Sequence, residues 1–368
     1  MNFRPLLRFC APLPLAAGSS DDEPEAGSDA RPADAPTVCR ETYRRNRSSA
    51  RSETTAGVAL AIALVTSCVA LACSGEQDED PTPNDGSAGN GGAVDPPGGP
   101  ALCSLQYDQF NASPKVNTQS TSAWACTEST RVLTGNGIPD HAITGGSFAT
   151  PMSPQSLSLF FPLQPQMAAE ITTPFRQGSG YALNSVKFDP GTAGTCAATA
   201  TSTRPGDGCD LAMGRDPWTI EALGGSFSFG TDENNGHTQP NGQYHYHGMP
   251  EGLLAGAGMA VKLVGFALDG FPVYARYGYS VATDSLSALK IMKGSWQLKP
   301  TADPGRPDLE TFAMGTFTAD YEYVAGSGDL DECNGRTGVT PEFPQGTYHY
   351  YITDTFPFIQ RCVKGTLP

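Results

Sequence analysis

Glycine and proline are so frequent in this chain that long regular helices are disfavoured. The 368 residues include 42 glycines and 31 prolines. Glycine disfavours helices through its conformational freedom, and proline does so because it lacks an N–H group. Short runs of β-branched, aromatic and aliphatic residues lie between these turn formers. The composition therefore predicts a mainly β domain, sandwich or barrel-like, with long Gly/Pro-rich loops and few short helices.

Six short runs have the composition of strands: Arg131–Thr134, Ser156–Phe161, Ser185–Phe188, Met259–Leu268, Tyr321–Val324 and Tyr348–Thr353. Phe266–Tyr274 predicts a buried strand that breaks at Asp269-Gly270 and then resumes. Two segments alone favour short helices, Asp284–Met292 and Pro250–Ala257.

The N-terminal part of the chain does not have the composition of a folded domain. Residues 1–55 include a long stretch of Ser, Asp, Glu, Ala, Pro and Arg with few large apolar groups, which predicts disorder or a start of translation further along the chain. Several arginines then precede the apolar segment 56–73, which ends at Cys73 and is followed by acidic residues. This order is typical of an export signal. The local sequence is similar to a lipoprotein signal with Cys73 lipidated, whereas Cys68 is a competing position and an uncleaved membrane anchor is the alternative.

Residues 74–100 consist of small and polar residues and predict a flexible linker to a domain that covers residues 101–368. From Cys73 onward, 15 Lys and Arg stand against 30 Asp and Glu, so this part carries the whole net charge of −15. Such an acidic chain is a poor partner for nucleic acid. We expect contact with a membrane only through the N-terminal anchor, and a location in the cell envelope or outside the cell.

Six of the ten cysteines lie in the predicted domain, at positions Cys103, Cys126, Cys196, Cys209, Cys333 and Cys362. An even number in an exported chain predicts three disulfides, with fifteen possible connectivities. Pairing of nearest neighbours is the simplest of these. No two cysteines have the Cys-x-x-Cys spacing, which disfavours a thiolate zinc site or a thioredoxin-like redox centre.

The five histidines are concentrated in unusual segments. Three lie in two similar motifs, Tyr244-His245-Tyr246-His247 and Tyr348-His349-Tyr350. In a strand, His245 and His247 point to one face and the tyrosines to the other. Two imidazoles on one face are a common start of a metal site. The segments flanking the two motifs differ, so no internal duplication is inferred from them.

The remaining histidines, His141 and His237, lie in loops of the type Asn136-Gly-Ile-Pro-Asp-His141 and Asn234-Asn-Gly-His237. Together with Gly265-Phe-Ala-Leu-Asp-Gly-Phe-Pro-Val-Tyr274, Gly328-Asp-Leu-Asp-Glu-Cys-Asn-Gly-Arg336 and the two Tyr-His-Tyr motifs, these segments resemble the YHYH domain family of exported proteins. The resemblance spans residues 130–365. It implies an exported domain, and it implies no particular activity.

One position departs from the pattern of similar proteins. Their second motif often continues to a further histidine, whereas this chain has Tyr351. The hypothesis is therefore a three-ligand site of His245, His247 and His349, with His237 and His141 as weaker candidates. Three neutral imidazoles bind zinc or copper and leave one coordination position open. Metal-free contact with a substrate and purely structural roles are the alternatives for each histidine.

Among the carboxylates, Asp269 is a tentative catalytic residue. Its place at the end of an apolar run predicts burial, and it is expected to orient a ligating histidine, act as a general base, or accept backbone N–H bonds within its own turn. Asp329, Asp331 and Glu332 concentrate oxygen ligands that suit calcium, or else form an acidic turn beside a cysteine. Neither a nucleophile elbow nor a phosphate loop is present in the sequence.

These features favour an exported, histidine-based domain that binds a divalent metal, copper or zinc, either as a carrier or as a metalloenzyme. Its expected partner is a metal ion or a small molecule. The alternatives are a metal-independent enzyme on extracellular substrates, with an acid–base pair in a cleft, and a recognition or adhesion module. The last alternative predicts histidines in separate environments, more than about 8 Å apart.

Overall fold

The computed structural model describes residues 99–173 and 178–368. This described part of the chain is mainly β, with 34% strands and 3% helix, as the composition predicts. The predicted disordered segment 1–55, the signal or anchor segment 56–73 with Cys73, and nearly all of the linker 74–100 lie outside the described residues and stay predictions. Within the described ranges, no helix has the length and apolar character needed to cross a bilayer.

The described residues contain twenty strands, a single turn of α-helix and two 3₁₀ turns. In chain order the strands are β1 (Gln106–Asn111), β2 (Thr118–Cys126), β3 (Thr130–Gly135), β4 (Leu157–Pro162), β5 (Met167–Thr172), β6 (Gly180–Ala182), β7 (Lys187–Phe188), β8 (Thr195–Cys196), β9 (Cys209–Asp210), β10 (Trp218–Thr219), β11 (Gly236–Thr238), β12 (Tyr244–Tyr246), β13 (Val261–Ala267), β14 (Pro272–Tyr279), β15 (Leu289–Ile291), β16 (Trp296–Leu298), β17 (Tyr321–Tyr323), β18 (Gly335–Gly338), β19 (Thr347–Ile352) and β20 (Val363–Gly365). The α-helix is α1 (Glu251–Leu254), and the 3₁₀ turns are Pro100–Cys103 and Thr318–Asp320.

A nine-stranded sheet forms the centre of the fold. Its order is β11-β12-β7-β6-β13-β14-β19-β18, with β15 added to β14. Most neighbours are antiparallel, but β7 pairs with β12 and β14 pairs with β19 in parallel. The middle strand β13 is buried at every position except Lys262 and is rich in apolar residues, as expected for a strand covered on both faces.

Both faces of the central sheet are packed. One face carries an apolar core with four buried tyrosines, Tyr244, Tyr246, Tyr348 and Tyr350. The other face meets the four-stranded sheet β1-β2-β3-β4. There, Trp124 of β2 packs against Phe161 of β4 and Phe266 of β13, with ring centroids 5.4 and 5.2 Å apart. Burial of these large rings is the main stabilising contribution to this interface.

Three disulfides join nearest neighbours in the sequence, Cys103–Cys126, Cys196–Cys209 and Cys333–Cys362. The simplest of the fifteen connectivities is therefore confirmed. The second disulfide joins two paired strands, β8 and β9. The third ties the turn before β18 to Cys362, the residue directly before the last strand β20, and so fastens the C-terminal segment to that turn.

The predicted helices have different outcomes. Within Pro250–Ala257 the structure contains the single turn α1, so that prediction is confirmed in a shorter form. The prediction for Asp284–Met292 is wrong, because Leu289–Ile291 is β15 and pairs with β14. Asp284 and Ser287 bond to local backbone groups and close a turn before that strand. Local side-chain bonds of this kind compete with helix formation.

Candidate metal centre

Three histidines meet at the edge of the central sheet, on a short hairpin formed by β11 and β12. His237 of β11 lies directly opposite His245 of β12 in the antiparallel register. His247 follows two residues after His245 and so points to the same face of the sheet. Asn241-Gly242 closes the hairpin, with Gly242 at a φ of 81° that favours glycine. The local sequence therefore places all three imidazoles on one side of the hairpin.

The three imidazole rings form a nearly equilateral triangle. Their centroids lie 4.6, 4.7 and 4.9 Å apart. The Nε2 atom of His247 lies 3.0 Å from Nε2 of His245 and 3.0 Å from Nε2 of His237. Nitrogen ligands at zinc's bond length of about 2.0–2.1 Å are roughly 3.3 Å apart in a tetrahedron. The spacing is thus close to that of a bound ion's ligands.

The outer nitrogens of two of these rings face backbone carbonyls. Nδ1 of His237 lies 2.5 Å from the carbonyl oxygen of Phe229, and Nδ1 of His245 lies 3.4 Å from that of Gln243. A carbonyl only accepts, so each Nδ1 is the protonated nitrogen in these contacts, and each Nε2 presents a lone pair to the centre of the triangle. Such carbonyl partners are typical of the outer nitrogens of metal-ligating histidines.

Burial keeps these histidines neutral. It lowers the pKa of His245 and His247 well below the ordinary value of 6.5, and the neighbouring histidines lower it further. The pKa of His237 is lowered as well, again mainly by burial, although this side chain is only half-buried. A neutral imidazole is the form that binds a metal. At neutral pH the three imidazoles are therefore uncharged, and the lone pairs of His237 and His245 converge on Nε2 of His247.

A buried ion pair lies beside the triangle on the parallel strand β7. Lys187 is aligned with His245, and its Nζ lies 2.6 Å from Oδ2 of Asp189. Gln239 donates to the same carboxylate oxygen at 3.0 Å. Lys187 and Asp189 thus form a buried pair without net charge beside the three histidines. The ion pair was not expected from the sequence, because no spacing rule connects β7 with β12.

His349 is not part of this cluster, so the predicted set of His245, His247 and His349 is corrected to His237, His245 and His247. Five strand-to-strand steps separate β12 from β19 in the central sheet, which corresponds to about 24 Å at the usual spacing. The Nε2 atom of His349 instead contacts the hydroxyl of Tyr351 at 3.2 Å, and its Nδ1 contacts the carbonyl of Thr347 at 3.0 Å.

His141 also lies outside the cluster. Its Nε2 contacts the hydroxyl of Tyr246 at 2.6 Å, and its Nδ1 contacts the carbonyl of Ala142 at 3.1 Å. Tyr246 points away from the three histidines, because it lies between His245 and His247 in the strand. Asn184 donates to the same hydroxyl at 3.0 Å. His141 therefore fastens a loop to the tyrosine face, and its weaker candidacy as a ligand is corrected.

Asp269 has no histidine partner. Its fully buried carboxylate accepts from the Tyr350 hydroxyl at 2.6 Å and from the main-chain N–H of Gly365 and Phe271 at 2.8 and 3.2 Å. Burial raises its pKa, and the Tyr350 bond opposes this. Of the predicted roles, acceptance of N–H bonds in its own turn is confirmed through Phe271. The role as a histidine partner is corrected, because none of these contacts is with a histidine, whereas the role as a general base stays a prediction.

The carboxylates considered for calcium do not form a cluster. Asp329 pairs with Lys290, while Asp331 and Glu332 each lie 3.1 Å from the ammonium of Lys364. Asp331 also accepts from the Tyr348 hydroxyl at 2.9 Å. In the described ranges, the one group of three or more His, Cys, Asp or Glu side chains with donor atoms within 4.8 Å is the three-histidine cluster. The acidic segment is thus a structural turn.

The effect of burial on the pKa of His349 can be tested in the metal-free protein, because His349 lies outside the three-histidine cluster. Burial lowers its pKa to about 4, whereas in the unfolded chain the value is about 6.5. Between these two pH values the unfolded chain binds a proton that the native protein does not, so stability decreases as the pH falls. We expect acidification from pH 7 to 4 to cost the metal-free protein up to about 3 kcal/mol through this residue. Denaturant unfolding of His349→Gln should show a correspondingly weaker loss; an unchanged pH dependence would contradict the assignment.

Sequence reasoning identified His245 and His247 and ranked His237 too low. The available signal was the hairpin itself, since Asn241-Gly242 between two short apolar-flanked segments predicts a turn that brings residues 237 and 245 together. Asp232 was missed as well. Its carboxylate accepts from the Tyr244 hydroxyl at 2.7 Å and from the N–H groups of Asn234 and Gly236 at 2.8 and 3.0 Å. This turn sets the position of β11.

Comparisons with known proteins give a family and no closer relative. A family model described as YHYH protein matches residues 158–365, more than half of the chain. Neither a curated protein nor a solved structure matches the chain. The matched range contains both Tyr-His-Tyr strands and all three histidines of the cluster. The chain therefore belongs to the YHYH protein family.

Proposed function

We propose that this domain binds one divalent transition-metal ion, zinc or copper, through Nε2 of His237, His245 and His247. The observation that carries the proposal is the convergence of three Nε2 atoms, with His247 Nε2 3.0 Å from each of the other two. A hydrogen bond explains such a contact only where one nitrogen carries a proton. If Nε2 of His247 carries the proton, its N–H points to one partner at a time, and no hydrogen bond explains the other close contact. If Nε2 is unprotonated, both contacts bring lone pairs together, which a cation between them would stabilise.

The donor set selects the class of metal. Imidazole suits zinc and copper, whereas calcium and magnesium prefer oxygen ligands. Three protein ligands leave a coordination position for water or for a second ligand. His237 is half-buried while the other two histidines are buried, so solvent reaches the cluster on the side of β11. This arrangement suits both the transfer of a metal ion and the activation of a bound water.

The geometry also weighs against the two alternatives. A recognition module with scaffold histidines requires imidazoles in separate environments, whereas these rings lie less than 5 Å apart. A metal-independent acid–base enzyme requires Asp269 and a histidine in one cleft, whereas Asp269 contacts Tyr350. A cavity of about 530 Å³ lies near Phe229 and Asn235, and neither Asp269 nor a histidine lines it.

We further propose that the protein is exported and held at the cell envelope by a lipid on Cys73. Three disulfides support export, because such bonds persist in oxidising compartments. The order of basic, apolar and acidic residues around the segment 56–73 supports the anchor.

Metal content tests the proposed binding. The purified full chain is loaded with zinc or copper, dialysed and measured by elemental mass spectrometry, and its affinity is measured with a competing chelator. We expect one bound ion, with His245→Ala and His247→Ala each weakening binding by more than about a hundred-fold. His349→Ala is the matched control, since this residue occupies the same place in the second motif, and it should retain the ion. A wild-type protein without metal would refute the proposal, as would equal loss in the control.

A further inference from the structure

The strand order of the central sheet is symmetric about the pairing of β6 with β13. Reading outward from that pair, β7, β12 and β11 on one side correspond to β14, β19 and β18 on the other. The pairing itself is symmetric, because Gly180 faces Ala267, Tyr181 faces Phe266, and Ala182 faces Gly265. Adding 85 to the residue numbers of β6, 180–182, gives the paired residues of β13, 265–267. The two halves of the sheet are therefore related by an approximate two-fold axis.

Corresponding loops in the two halves join equivalent residues by hydrogen bonds, although the donor and the acceptor of the tyrosine bond are exchanged. In the first half, the Nδ2 group of Asn184 donates to the Tyr246 hydroxyl at 3.0 Å. In the second half, the Tyr350 hydroxyl donates to Asp269 at 2.6 Å. Asn184 and Asp269 are themselves related by the shift of 85 residues. The side chain of each also accepts from the main-chain N–H two residues later, at 3.3 and 3.2 Å.

The outer hairpins correspond in equal detail. Their turn sequences are Asp232-Glu-Asn-Asn-Gly-His-Thr238 and Asp331-Glu-Cys-Asn-Gly-Arg-Thr337. Asp232 accepts from the Tyr244 hydroxyl at 2.7 Å, and Asp331 accepts from the Tyr348 hydroxyl at 2.9 Å. Each aspartate also accepts from two main-chain N–H groups of its own turn. The two hairpins thus agree in both sequence and bonding, a relation that the segments flanking the Tyr-His-Tyr motifs did not reveal.

The same correspondence assigns a partner to each metal-site histidine. The register places His237 opposite His245 in one hairpin and Arg336 opposite His349 in the other. The main-chain N–H of His247 donates to the main-chain carbonyl of Asn235 at 2.8 Å. The main-chain N–H of Tyr351 likewise donates to the carbonyl of Asn334 at 2.9 Å. The counterpart of His237 is therefore Arg336, that of His245 is His349, and that of His247 is Tyr351.

Arg336 brings a fixed positive charge into this second set. One guanidinium nitrogen, Nη2, donates to the carbonyl of Tyr279 at 2.9 Å and to the Tyr351 hydroxyl at 3.3 Å. The guanidinium carbon lies 5.4 Å from the centre of the Tyr351 ring. His349 contacts the same hydroxyl at 3.2 Å through the nitrogen that corresponds to a metal ligand in the first half. The second set is thus bonded internally, with a cation that belongs to the chain.

We propose that the hairpin of β18 and β19 is a second copy of the metal site, in which Arg336 supplies the positive charge that the ion supplies in the first copy. The inference rests on the proposed function for the identity of the ligand. It adds that the protein binds one ion per chain, that its C-terminal half is independent of metal, and that two substitutions restore a second site.

Restoring the ligands tests the inference directly. In Arg336→His/Tyr351→His, zinc titration monitored by calorimetry and elemental analysis should give two ions per chain, against one in the wild type. Adding His245→Ala and His247→Ala to this double variant should leave one ion, now held in the second half. A folded double variant that binds no more zinc than the wild type would overturn the inference. Zinc in the double variant but none in the wild type would refute the proposed function and, with it, the assignment of an ion to the first copy.

A second experiment uses the wild-type protein, so that the inference can be tested even if the double variant does not fold. Hydrogen exchange followed by mass spectrometry compares the two hairpins with zinc and after chelation. Chelation should increase exchange in residues 236–247 and leave residues 335–351 unchanged. Equal increases in both hairpins would overturn the inference, because the second copy would then also depend on metal.

Discussion

Zinc should raise the melting temperature of the metal-free protein by roughly 10 °C. An ion that binds only the native state stabilises it by about 4 kcal/mol at a free concentration a thousand times its dissociation constant. For a domain of this size, each kcal/mol corresponds to about 2–4 °C. The expected stabilisation comes from coordination of the ion by three imidazoles whose Nε2 atoms already converge in the native state. Differential scanning calorimetry with the disulfides intact measures the effect.

His247→Ala is the variant that isolates this stabilisation, because His247 alone lies 3.0 Å from both other histidines. The variant should show no zinc-dependent shift, and its melting temperature should equal that of the metal-free wild type within a few degrees. His141→Ala, which removes a histidine outside the cluster, should keep the full shift. An equal zinc effect in all three proteins would mean that the ion binds elsewhere.

Asp269→Ala should destabilise the domain by roughly 3–5 kcal/mol. The substitution leaves the Tyr350 hydroxyl and the N–H groups of Gly365 and Phe271 without their acceptor in a fully buried place. Buried donors that lose a charged acceptor are among the costliest changes in a core. Urea unfolding at pH 7, compared at equal m-values, measures the loss.

Asp269→Asn is the matched control, since asparagine occupies the corresponding position, Asn184, in the other half of the sheet. The amide oxygen still accepts from Tyr350, so we expect a loss of only about 1–2 kcal/mol. Metal binding should be unaffected in both folded variants, because Asp269 contacts no histidine. If the two substitutions were equally destabilising, the hydrogen bonds of the carboxylate would not be the source of its contribution.

Local composition was sufficient to predict several of the strands and one of the turns of the fold. Val261–Ala267 and Thr347–Ile352 are long apolar or alternating runs, and both were predicted within two residues. The break at Asp269-Gly270 was predicted from its turn-forming residues. The structure confirms it with a φ of 86° at Gly270, a value that glycine adopts easily. By contrast, Asp284–Met292 has helix-forming residues but lies beside the end of β14, residues 277–279, which pairs with neither β13 nor β19. Pairing with that end supplied hydrogen bonds that outweighed the local preference.

The symmetry of the sheet was beyond reach of the sequence pattern. The two copies share only short matching segments, and the spacings between corresponding segments differ, at 85 residues for Gly180 and Gly265 and 104 for His245 and His349. Insertions of loops change spacing freely, because loop length costs little free energy. The register and hydrogen bonds of paired strands therefore reveal the relation more clearly than the sequence does.

The amino-acid sequence by itself determined that the protein is mainly β, that His245 and His247 share a strand face, and that six cysteines belong to the domain. Each of these follows from local rules: turn formers exclude helices, and strand side chains alternate. Only the tertiary structure decided that the third histidine is His237 and that His349 belongs to a separate set. The physical reason is that strand pairing, which joins residues distant in the chain, decides which side chains meet.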